Sequence, residues 1–155
     1  MPIPRPTIIC QCGKLPDKHS DYELDECVIK YVFKKESFLG SLTMQMCMRT
    51  GNGPGDFIFF TPSTNIKHAF EIFSLDQFQD YEIIISANKK MPKLVSMMFV
   101  VNGLSIDHDK WFVAVDETVE KAICKASLLA AAQLDKNTRM KEIRDREKLK
   151  EKYSK

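Results

Sequence analysis

The 155-residue sequence predicts an α+β fold: a mostly antiparallel β barrel or sandwich of about seven strands, followed by a long C-terminal α-helix. Three observations predict it. Apolar residues alternate with period two in several short runs between positions 27 and 115. Gly, Pro and Asn punctuate those runs. From position 116 the apolar period becomes that of a helix and stays so.

Residues 1–26 read as an extended, irregular lead-in, because Pro2, Pro4, Pro6 and Pro16 remove backbone donors and bias their neighbours away from helix. Strand signals begin at Cys27. Over 27–34, Cys27, Ile29, Tyr31 and Phe33 share one face. Leu42, Met44, Met46 and Met48 then alternate with Thr43, Gln45 and Cys47, the cleanest period-two stretch in the chain. That methionine stripe, with Met97 and Met98, is expected in the core. Residues 49–56 carry three glycines, an Asn and a Pro and read as a turn. The strand 57–60 follows, and Pro62 ends it. Residues 64–75 fit two patterns. Ile66, Ala69, Phe70 and Phe73 make a helical stripe, whereas Ile66, His68, Phe70 and Ile72 make a strand face; the flanking strands favour the second.

Residues 81–85 and 94–101 are the next strands. Asn102-Gly103 predicts a tight hairpin into 104–106, because both residues accept positive φ. After a bend at 107–110 comes the last strand, 111–115. Asp116 is the expected N-cap of the helix, with Glu117 and Glu120 in its first turn. Val119, Ala122, Ile123, Ala126, Leu129, Ala130 and Leu134 fall on or near one stripe, and the alanines imply close approach to whatever lies against them. Beyond Asp135 the apolar residues thin to Met140, Ile143, Leu149 and Tyr153. A helix over 116–152 would run roughly 55 Å at about 1.5 Å per residue, so its end is expected to project. The expected organisation is an N-terminal segment 1–26, a globular domain 27–134 and a charged helical arm 135–155. This element order suits a pleckstrin-homology-like barrel, an open sandwich or a five-stranded oligonucleotide-binding barrel. The chain carries no motif of any of them, and architecture alone assigns no function.

Composition narrows the function classes. Hydrophobic residues at 44% and charged residues at 28% are ordinary globular values. The formal charge of +2 is unevenly spread: residues 135–155 hold nine Lys/Arg and five Asp/Glu, a net +4, which leaves −2 for the rest. No apolar run approaches the ~18 residues of a membrane span, and no signal-peptide pattern is present. Five cysteines, an odd count, suit free thiols in a reducing compartment, so cytoplasm or nucleus is expected.

Four residues have metal-ligand chemistry near one another in sequence: Cys10, Cys12, His19 and Cys27. Their spacing differs from the common zinc knuckles, so unliganded thiols are the default expectation, with no cofactor. Asp107-His108-Asp109 sets an imidazole between carboxylates, an arrangement open to acid–base chemistry. A polar bend explains the same residues, and no nucleophile stands near them in sequence. The run 51–56 is glycine-rich but lacks the Lys-Ser/Thr ending of a phosphate loop. In the arm, Arg139, Lys141, Arg144, Arg146, Lys148, Lys150 and Lys152 offer contacts to phosphate or to an acidic partner. Tyr31, Phe33, Phe57 and Phe59 are the aromatic residues available for base stacking. The leading expectation is a non-enzymatic binding or assembly subunit with a protein partner or a second copy of itself. The alternatives are a nucleic-acid-binding protein using the arm and a sheet face, and a small hydrolase-type enzyme around His108.

Overall fold

The computed structural model describes residues 10–42, 44–86, 92–101, 104–105 and 111–153. It is an α+β fold in which six strands of three residues or more form two small antiparallel sheets, with a long helix at the C-terminus. One sheet runs β1 (Ser37–Leu39), β2 (Met46–Arg49), β3 (Phe57–Phe59) in that order. The other places β5 (Lys93–Val101) between β4 (Tyr81–Ser86) and β7 (Trp111–Asp116), and a two-residue strand β6 (Leu104–Ser105) folds back on the end of β5. Against the expected barrel or sandwich of about seven strands, the described residues show six such strands in two small sheets and no closed barrel. The inner face of β4–β5–β7 is covered by the C-terminal helix, which removes the apolar drive toward closing that sheet on another.

Three segments expected as extended or irregular are helical. Ser20 caps α1 (Asp21–Cys27) by accepting the Glu23 N–H, while the Glu23 carboxylate accepts the Ser20 N–H. This reciprocal pair starts a helix. The helix then runs through a π turn at Val28–Val32, up to Lys34, which leaves it at φ 59°. Leu24, Cys27, Val28 and Val32 are buried along this face, so the helical period wins over the alternation visible in 27–34. Residues 64–75 are likewise helical: Asn65 caps α2 (Ile66–Glu71), accepting the N–H groups of Lys67 and His68, and 3-10 turns follow at Ile72–Ser74 and Asp76–Phe78. The period-two methionine run is strand only from Met46. Met46, Met48 and Met97 are buried as expected, whereas Met44 is exposed at φ 55°.

Helix α3 (Val119–Tyr153) begins three residues later than the sequence suggests. Asp116 is still the last residue of β7, and the Thr118 hydroxyl accepts the Lys121 N–H at the helix start. Residues 122–128 are buried without a break, so two turns of α3 are enclosed on every side. Strands β5 and β7 lie against it, as do α1, the π turn and α2. Val95, Met97, Phe112 and Ala114 reach it from the sheet, and Leu24, Val28, Ala69 and Ile72 complete the core. Among the described residues no helix is long and apolar enough to cross a membrane.

Candidate functional site

The structure brings Cys10, Cys12, His19 and Cys27 together, with all four potential ligand atoms within 4.8 Å of one another. Three local structures deliver them. Cys10 to Gly13 is a tight turn closed by Gly13 N–H to Cys10 C=O at 2.9 Å, and Gly13 sits at φ 95°, a conformation that glycine adopts without strain. Pro16–Lys18 forms a 3-10 turn that leads into His19. Cys27 is the last residue of α1, so its placement depends on the helix that the Ser20 cap begins.

His19 Nε2 lies 3.2 Å from Cys12 Sγ and 3.5 Å from Cys27 Sγ. Its Nδ1 is 3.0 Å from the Leu15 carbonyl, an acceptor, so Nδ1 carries the proton and Nε2 turns its lone pair toward the sulfurs. Cys10 and Cys27 are buried, His19 is half-buried and Cys12 is exposed. A hydrogen bond from the Cys27 thiol holds Cys10 well below the usual cysteine range, and the same sharing pushes Cys27 up. A shallow cavity of about 120 Å³, lined by Cys12, Lys14, Glu23, Glu26, Cys27, Lys30 and Tyr31, opens beside the cluster.

Polar links tie this segment to α3. Gln11 donates to Asp135 at 2.6 Å, Asp17 pairs with Lys125 at 3.0 Å, and Asp21 pairs with Lys121 at 3.3 Å. Lys125, 10% exposed, also pairs with Asp116. Burial pulls its ammonium down, but the carboxylates of Asp116 and Asp17 outweigh that and hold it above its usual value.

The arm is a solvated helix, with residues 136–153 exposed throughout. At about 100° per residue, Arg139, Arg146 and Lys150 fall on one side, and Lys141, Arg144, Lys148 and Lys152 on the other. A single groove therefore meets only part of the basic set. His108 and its two flanking aspartates lie outside the described residues.

Sheet surfaces hold residues that the sequence reading passed over. The outer face of β4–β5–β7 has three rows: Glu82, Met98, Trp111; Ile84, Ser96, Val113; and Ser86, Leu94, Val115. Six of these nine positions are apolar, and Ile84, Val113 and Val115 are 42–48% exposed. The available signal was that β7 is apolar at consecutive positions rather than alternate ones. On the smaller sheet, Phe38, Phe57 and Phe59 form an edge-to-face series with centroids 5.2 and 6.1 Å apart, and the Arg49 guanidinium stands 4.8 Å over Phe38. Tyr31 and Phe33 are instead packed against the core.

No protein-family model, curated protein or solved structure matches the chain.

Proposed function

We propose that this protein is a non-enzymatic binding and assembly subunit that docks a protein partner on the outer face of β4–β5–β7. The apolar character of that face carries the reading. A one-sided antiparallel sheet normally alternates apolar-in and polar-out, whereas here six of nine outward positions are apolar. Exposed apolar area of this kind favours burial against another protein. Three strands paired over six residues present only about 300 Å², against ~800 Å² per partner in a stable interface. The partner therefore needs further contacts, and the exposed arm, about 27 Å long at 1.5 Å per residue, is available to supply them.

The test is a photo-crosslinking residue placed at Val113 in the full chain, expressed in its own cells, with Lys67 on the exposed side of α2 as control. A defined adduct at position 113 and none at 67 is expected, whether the captured chain is a second copy or a different protein. Equal, diffuse labelling at both positions would contradict the reading.

A second reading is single-stranded nucleic-acid binding, favoured by the Phe38–Phe57–Phe59 series with Arg49 beside it. Phe59 is exposed and Phe38 and Phe57 are half-buried; rings on a sheet surface stack bases, and the basic arm adds phosphate contacts. It predicts RNA or DNA binding by fluorescence anisotropy that weakens steeply with salt and drops on Phe59→Ala. No binding at low salt would remove it.

A further inference from the structure

We infer that Cys10, Cys12, His19 and Cys27 bind a single Zn2+ in a closed tetrahedral site that fastens the Cys10–Gly13 turn and the 3-10 segment to the end of α1. This inference rests on the N-terminal geometry alone and stands whether or not the sheet face binds a partner.

Three thiols and one imidazole are a complete donor set for structural zinc. Tetrahedral bonds of about 2.3 Å to sulfur and 2.0–2.1 Å to nitrogen separate neighbouring ligand atoms by roughly 3.5–3.8 Å. The cluster spans at most 4.8 Å, and two of its nitrogen–sulfur separations are 3.2 and 3.5 Å, so small side-chain adjustments reach that geometry. A two-iron cluster would set its ligands farther apart, on two metals. The Leu15 carbonyl against Nδ1 is an independent sign. Metal-bound histidines characteristically donate the other ring N–H to such an acceptor, which fixes the tautomer and aims the ligand nitrogen.

Packing supplies the need for a metal. Among the described side chains of residues 11–20 none is buried. The links from Gln11, Asp17 and Asp21 to α3 each include an exposed or half-exposed partner, and such pairs contribute little by themselves. Zinc would join a turn, the 3-10 segment and the end of α1 at one point, so its binding free energy becomes folding free energy. Four protein ligands leave no open position, which makes the role structural. Each coordinating thiol releases its proton to solvent as the Zn–S bond forms, and no oxidation change occurs.

The test is anaerobic Co2+ titration of the reduced full chain, followed by Zn2+ displacement. Thiolate-to-cobalt charge transfer and tetrahedral d–d bands are expected, saturating near one equivalent and erased by Zn2+. Cys12→Ser, which alters an exposed ligand, and His19→Gln should each weaken binding about tenfold or more. Cys47→Ala, at a buried thiol outside the cluster, should leave binding unchanged. Thermal unfolding of the wild-type chain in chelator keeps the inference decidable if a ligand variant fails to fold: removal of metal must lower the unfolding temperature. Absent tetrahedral bands in reduced protein, full affinity in Cys12→Ser, or an unfolding temperature indifferent to chelator would each overturn it.

Discussion

Asp25 is only 3% exposed, and its carboxylate accepts the Ser63 N–H at 2.8 Å. Burial is the larger influence and pushes it up to about 6 from an ordinary value of 3.8. Between those values the folded chain holds a proton that the unfolded chain has released, so stability from this group falls as pH rises from about 4 to 6 and is flat above. Asp25→Asn keeps an acceptor for Ser63 without the charge. The variant should match the wild type near pH 4 and become more stable by on the order of 2 kcal/mol at pH 7. Parallel denaturant titrations across that range check it, and a constant difference at all pH values would refute the assignment. Lys125 behaves oppositely, because its removal takes the paired cation from Asp116, whose side chain is 13% exposed, and leaves it the Glu117 N–H. Lys125→Ala is expected to cost about 3 kcal/mol or more by the same assay. Neither residue was legible in the sequence, where both are ordinary members of 21 acids and 23 bases. The four clustered ligands were legible as residue types. Their convergence was not, because it depends on Cys27 ending a helix in a stretch whose alternation reads as strand.

At the scale of elements, short capping signals decided what periodicity left open. Ser20 with Glu23 begins α1, and Asn65 begins α2. Both caps are visible in the sequence, and their flanking runs of β-branched and aromatic residues outweighed them in a reading based on alternation. Strands β4, β5 and β7 were readable because β-branched and aromatic residues concentrate there, whereas the Asn102-Gly103 turn lies outside the described residues. Helix α3 was readable from its stripe, but not its burial on all sides, which depends on α1 and α2 being helices. Ala126 lies in that enclosed stretch and is fully buried. Ala126→Leu is expected to destabilise the fold by about 1–3 kcal/mol in chemical denaturation, through overpacking. The exposed arm is the converse case. Truncation after Asp135 keeps the Gln11 contact and should change unfolding stability by less than about 0.5 kcal/mol, while helical circular dichroism falls. A large loss of stability would mean the arm packs on the body.

Over the whole molecule, one helix serves both halves of the core. Sheet β4–β5–β7 covers it with Val95, Met97, Phe112 and Ala114, and α1 and α2 lie against it too. That arrangement explains why period-two patterning pointed to a barrel or sandwich: patterning reveals which faces are apolar, and what covers them is settled by long-range pairing. It also accounts for residues 11–20, none of whose described side chains is buried and which meet Cys10 and Cys27 at four converging ligand atoms. Zinc K-edge X-ray absorption on the purified full chain tests the four-ligand site outright. A shell of three sulfurs at about 2.3 Å and one nitrogen at 2.0–2.1 Å is expected. Metal-free protein, or a shell of oxygen and nitrogen alone, would contradict it.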